Sequence, residues 1–355
     1  MRFRAVQNTS TLRALCMCGC PSATRPLHEA LSVVNCRGAL LAVGPAVEKI
    51  AAVLRSAVPQ HAQRHREQRD GPRHHITIIP KMEMPAGDHW KGCAEQALTD
   101  LAASVILPLG VGRAGRSYYV VVLWPAAQEY RVQVGLPETD LHLTLGFEEH
   151  DSHGVSKGPL TLLPADCQPA RPRDWRRWAD ATLVARAIVQ QRRDASTEAA
   201  LRWLCAEAYD HGAGVAEGAL RCILGGLLGS VGRLDEATAE AEAARACASS
   251  LPQAWLLCAS CACERRDWDR ADSAMRTAAR LLFASEASPS CTPPPSDTDR
   301  AALTLASRPA VQVGTFLASS GDGQGSRMRA ELVRLKSLDR ERRARHGELL
   351  ESCLP

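Results

Sequence analysis

Two short runs constrain this chain more than anything else in it. The first reads His74-His75-Ile76-Thr77-Ile78-Ile79-Pro80 and the second Leu141-His142-Leu143-Thr144-Leu145-Gly146-Phe147. Each sets His-x-Thr inside apolar, β-favouring residues, so each predicts a strand. Side chains at i and i+2 of a strand share a face. His75 and Thr77 therefore share one face, as do His142 and Thr144, while Ile76, Ile78, Leu143 and Leu145 point the other way, into a core. If the strands lie side by side, two imidazoles and two hydroxyls meet over one spot. Such a spot suits a phosphate, with two groups able to exchange protons and two able to donate hydrogen bonds to its oxygens.

Of the eleven histidines, these two alone begin His-x-Thr with apolar residues on both sides; His150-Asp151-Ser152 has a polar setting. On this pair the chain resembles the 2H phosphoesterase superfamily, defined by two His-x-Thr/Ser motifs on central strands. Thr144-Leu145-Gly146-Phe147 and the following His150 to Gly158 resemble its RNA-repair-like Swiss Army Knife branch. The resemblance spans about residues 35–165. It implies an α+β domain of two lobes facing each other across a cleft. It also implies a metal-independent phosphodiesterase acting on a 2′,3′-cyclic phosphate or related phosphodiester, at an RNA end or on a nucleotide. One histidine would take a proton from water while the other protonates the leaving oxygen; histidine suits both tasks because its ordinary pKa lies near 6.5. Thr77 and Thr144 would hold the non-bridging oxygens. We assign His75 as base and His142 as acid. His74, Lys81, His153 and Lys157 are further candidates for substrate contact, each with a plain structural or surface role as the alternative. No cofactor or metal is expected. His61 and His65 are four apart but lack spaced carboxylates, and Cys16-x-Cys18-x-Cys20 lacks a second ligand cluster.

Composition sets the context. A net charge of +4 is mildly basic and does not itself demand nucleic acid, and 4% aromatic residues leave few platforms for base stacking. Fourteen cysteines scattered through apolar segments read as buried free thiols of a reducing, intracellular compartment, cytoplasmic or nuclear. No run of about 18 apolar residues occurs, so no membrane span is expected. Residues 1–30 carry Arg2, Arg4, Arg13 and Arg25 ahead of the first acidic residue, Glu29. They read as a disordered leader, with an organellar transit peptide as the alternative.

The phosphoesterase domain is assigned to residues 31–165. Within it, residues 31–43 read as a strand around Gly38, and Pro45 opens a helix to about Val58. Gln60–Arg73 reads as a polar, basic loop, either merely solvated or an electrostatic lip that attracts a polyanion. Ala94–Ser104 reads as a helix, Gly110–Arg116 as a turn and Ser117–Trp124 as a strand. A short helix from Pro125 ends at Gly135, and Leu160–Leu163 reads as a last strand. Residues 166–174 are a linker. From Trp175 onward strands vanish and alanine dominates. Leu234, Asp235 and Ala237 return 34 residues later as Trp268, Asp269 and Ala271. That period resembles the tetratricopeptide repeat, so residues 175–284 are expected to form antiparallel helix pairs stacked in series, with Trp255 and Trp268 inside or between them. Such a region would bind a protein partner or position the substrate. Residues 285–325 read as a flexible linker and 326–352 as an exposed helix. The reading from another functional class is a repeat-based interaction scaffold whose 2H domain is inactive.

Overall fold

The computed structural model describes residues 31–84, 94–170 and 178–284. The expectations for the leader, for Cys16, Cys18 and Cys20, for the 285–325 linker and for the C-terminal helix lie outside these residues.

The first half is built on one antiparallel sheet in the order β1-β2-β3-β6-β5-β4. Its strands are Ser32–Cys36 (β1), Ala39–Val43 (β2), Ile76–Ile79 (β3), Leu107–Ala114 (β4), Ser117–Leu123 (β5) and His142–Phe147 (β6). The halves repeat a plan. In each, a hairpin (β1–β2 or β4–β5) leads through a helical connection to a strand that carries a motif. The connections are Pro45–Leu54 (α1) with Gln60–Asp70 (α2) in the first half and Pro125–Gln133 (α4) in the second, and Ala94–Ala102 (α3) joins the halves. The two expected lobes are thus the halves of one sheet, meeting where β3 pairs with β6.

Alternation along the strands separates two cores. Ile76, Ile78, Leu143, Leu145, Val120 and Val122 pack with Val47, Ile50 and Leu54 of α1 on one face. On the other face Leu107, Leu109, Tyr119 and Val121 join the core of the helical half. That half comprises Trp178–Gln191 (α5), Ala195–Asp210 (α6), Gly214–Ser230 (α7), Leu234–Cys247 (α8), Pro252–Glu264 (α9) and Trp268–Ala284 (α10). Successive helices touch, and α7 also touches α5 and α9, so the helices stack in series. Leu234 and Trp268, 34 residues apart, each begin a helix. Trp255 packs against the shared core and Trp268 is partly buried. Burial pushes the Cys205 thiol up to about 12 and the Cys258 thiol up to about 11, so both are held as inert packing groups.

Four local expectations are corrected. Residues 31–43 form a hairpin, turned by Arg37 and Gly38 at φ 53° and 82°, and not a single strand. The segment expected to be a basic loop at 60–73 is largely helix α2. Its buried stripe is only Ala62 and Arg66, too polar to register as a hydrophobic period, and Gly71 at φ 80° ends it. Gly110 and Gly112 lie inside β4 and not in a turn. A Cβ at Gly112 would meet Tyr119 at 2.9 Å and Thr161 O at 3.1 Å, so glycine there serves close packing. Residues 160–163 make a 3-10 turn with a single bridge, Gly112 to Leu162, in place of a strand. Just beyond, Gln168 exchanges two hydrogen bonds of 2.8 Å with the backbone of Val111, tying the start of the expected linker to β4.

Candidate active site

β3 and β6 are joined through one antiparallel pair, Ile76 with Leu143. Carried one residue either way, this register sets His75 across from Thr144 and Thr77 across from His142. Each histidine thus faces the threonine of the other motif. His75 and His142 become diagonal neighbours, a relation that sets residues about 7–8 Å apart in such sheets, room for one phosphate between the rings. On β5, Val121 pairs with His142 and Tyr119 with Thr144, so the four motif side chains continue the sheet face that the helices cover farther along. All four are partly buried, between the closed core and open solvent.

Walls rise on both sides. Past Thr144 a bulge breaks the alternation and pairs Gly146 with Tyr118, and a Cβ at Gly146 would lie 2.8 Å from the carbonyl carbon of Ala62. Helix α2 therefore packs against β6 just past Thr144, where β3 no longer pairs with β6. His65 Nδ1 lies 3.2 Å from Phe147 O, and the Arg69 guanidinium sits 4.4 Å over the Phe147 ring. Beyond this wall an open cleft of about 570 Å³ is lined by His65, Arg69, His150 and His153 among others.

The two histidines are held differently. His142 Nδ1 is 3.0 Å from the carbonyl of Asp140, so that nitrogen carries the proton and Nε2 is left for chemistry. Its ring meets Tyr119 edge-on at 5.5 Å, and the Tyr119 hydroxyl donates to Thr161 Oγ1 at 2.6 Å. Burial, and then the Lys157 ammonium, lower its pKa from 6.5. His75 precedes β3 by one residue. Burial lowers its pKa too, but the first charge felt is Asp70, which opposes the shift, with Arg69 and Arg66 acting the other way.

The remaining candidates separate. His74 is bound to Glu48 of α1, its Nδ1 2.7 Å from Oε2 and its backbone N–H 2.6 Å from Oε1, which makes it an anchor of the β3 approach. Lys81 is exposed in the 3-10 turn at the far end of β3 from His75, beside Gly38. His153 is exposed in the cleft beyond α2. Lys157 is buried, its Nζ 2.9 Å from Asp151 Oδ1 and 5.6 Å from the centre of the Tyr119 ring. Tyr119, Asp140, Asp151 and Ser117 escaped the motif reading. They lie on another strand or in loops, and no short pattern in the sequence links them to His142.

His61 and His65 share α2 with rings 6.1 Å apart, and among the described residues no group of three histidines, cysteines or carboxylates could hold a metal ion. No described helix is long and apolar enough to cross a membrane. No curated protein and no solved structure matches the chain. Residues 38–153 match the family model described as Swiss Army Knife, 2H phosphoesterase domain, an interval that takes in both motifs, the β4–β5 hairpin and the α2 wall. This part of the chain is a 2H phosphoesterase domain of the Swiss Army Knife branch.

Proposed function

We propose that the protein is a metal-independent phosphodiesterase that opens a 2′,3′-cyclic phosphate, or a related phosphodiester, at an RNA end or on a nucleotide. The observation that carries this reading is the antiparallel pairing of the two motifs, with each histidine across from the other motif's threonine on one partly buried face. A phosphodiester between the rings has a proton acceptor on one side and a proton donor on the other. Water attacks phosphorus as one imidazole takes its proton; the P–O bond to the leaving oxygen breaks as the other imidazole gives that oxygen a proton. Thr77 and Thr144 donate hydrogen bonds to the non-bridging oxygens, whose charge grows in the transition state.

The surroundings favour His142 as base and His75 as acid, the reverse of the sequence assignment. A neutral His142, its Nδ1 proton committed to Asp140 and a cation nearby, presents a lone pair at Nε2. His75, with Asp70 nearby, is the ring better able to keep a proton. In this reading the helical half is a tetratricopeptide-like region that holds a protein partner and covers one end of the reactive face. The test is turnover of 2′,3′-cyclic nucleotides and of RNA ending in a cyclic phosphate, with and without EDTA. Hydrolysis that persists in the chelator and is lost in His75→Ala and His142→Ala is expected. Activity abolished by EDTA and restored by a divalent ion would overturn the mechanism, and a protein inert towards all these substrates would favour the scaffold reading.

A further inference from the structure

We propose that Asp151 and Lys157 form a buried positioning pair that keeps a cation beside His142, so that Lys157 meets the charge of the bound phosphate and Asp151 sets where Lys157 stands. This rests on the two-histidine reading above and adds to it a residue, Asp151, to which the sequence analysis gave no role. Both side chains are under a tenth exposed and their contact is 2.9 Å. A buried ion pair is a weak source of stability, since apolar residues of similar size often do as well, so its presence at the edge of a reactive groove calls for another use. Asp151 is braced from three sides: it accepts from Ser117 Oγ of β5 at 2.7 Å, from Lys157, and from Arg69 of α2 at 3.3 Å. Burial pushes its carboxyl up, but the Ser117 and Lys157 hydrogen bonds and the two cations outweigh this and hold it at about 2, so it stays ionised. The carboxylate can take up only part of the ammonium's hydrogen-bonding capacity, and Nζ lies over Tyr119, the ring that also packs on His142. A phosphate in the groove is a second acceptor for the same ammonium.

The charged and titratable groups that His142 faces are Asp140 on its own strand approach, His75 diagonally across on the β3 side, Tyr119 from β5, and Asp151 and Lys157 from the following loop. Arg192, just past α5, reaches Asp140 at 3.8 Å. Within this set the pair makes opposite predictions for its two members. The experiment is an NMR titration of the His142 ring in the ligand-free protein, its signal assigned by loss in His142→Gln. Lys157→Met removes a like charge and should raise the His142 pKa. Asp151→Asn removes the balancing anion and should lower it. Lys157→Arg keeps the charge and should leave the titration near that of the parent, which separates charge from packing. On a substrate the parent cleaves, Lys157→Met should lower kcat/KM by about 10-fold or more, with the rising limb of its pH profile moved to higher pH. A merely structural pair would shift His142 the same way in both variants or not at all, and that result overturns the proposal. Because the titration needs no turnover, it fails or succeeds independently of the phosphodiesterase assay. Should Lys157→Met not fold, a lowered His142 pKa in Asp151→Asn beside an unmoved one in Lys157→Arg still decides, and an unmoved His142 in Asp151→Asn overturns the proposal.

Discussion

The strands β3 and β6 carry the same motif in unlike settings, and the difference bears on what each histidine can do. β6 lies between two neighbours, β3 and β5, and its histidine is held by the Asp140 carbonyl, the Tyr119 edge and a nearby ammonium. β3 is four residues long, its histidine stands just before it, and the charges of α2 lie close by. Equal motifs thus deliver one imidazole fixed in its tautomer and one whose state depends on a helix that reads as loop in the sequence. A groove needing an acid and a base gains from this asymmetry, because proton acceptor and proton donor call for different surroundings.

The sharpest way to break the comparison is to remove each ring. His142→Ala and His75→Ala should each cut turnover by about 10²–10⁴-fold, measured on a 2′,3′-cyclic nucleotide. The double variant should lose much less than the product of the two, since both act in one step. Near-parent turnover in either folded variant would remove that histidine from the mechanism. Next in size are Thr77→Val and Thr144→Val, expected to cost about 10–10³-fold each, mainly in kcat. A loss confined to KM would assign the hydroxyls to ground-state binding instead.

A third prediction concerns the wall that distinguishes the two strands. Gly146→Ala forces a methyl against the backbone of α2 and should destabilise the fold by about 1–3 kcal/mol in denaturant titration, displacing α2 from β6. An unchanged midpoint would mean that α2 does not lie where the contact with Ala62 sets it. The smallest effect is on pH dependence. Both histidines have pKa values below 6.5 in the fold, so the optimum of kcat/KM should lie on the acid side of pH 6.5. The same shifts make the unfolded chain bind more protons than the native one as pH falls through and below 6.5. Their stability contribution is complete above that pH and is lost beneath it. Against His142→Ala, the parent should therefore lose ground on acidification, and a parent that gained stability there would contradict the lowered values.

The same contrast explains what could be read without coordinates. The motif strands were legible because alternation of apolar and reactive residues is local, and Ile76 with Ile78, or Leu143 with Leu145, needs only a strand to face a core. The helix α2 was not, because it is stabilised by Ala62, by the stem of Arg66 and by Gln63 bonding to the backbone carbonyls of Arg55 and Val58, none of which makes a hydrophobic stripe. Gly112 looked like part of a turn because its reason for being glycine, the approach of Tyr119 and Thr161, comes from residues distant in the chain.

By itself the sequence determined the two motif strands and the side chains they present, which follow from alternation over a few residues, and the helices of the second half, which follow from alanine content and a 34-residue repeat; the α+β shape of the first half came from the resemblance. Only the tertiary structure decided how those pieces meet. It set β3 beside β6 so that each histidine faces the other motif's threonine. It spread one core over sheet and helices where a linker had been read. It also gathered Tyr119, Asp151 and Lys157 near His142. These are contacts between segments far apart along the chain, selected by burial and charge pairing in the folded state, and no local pattern encodes them.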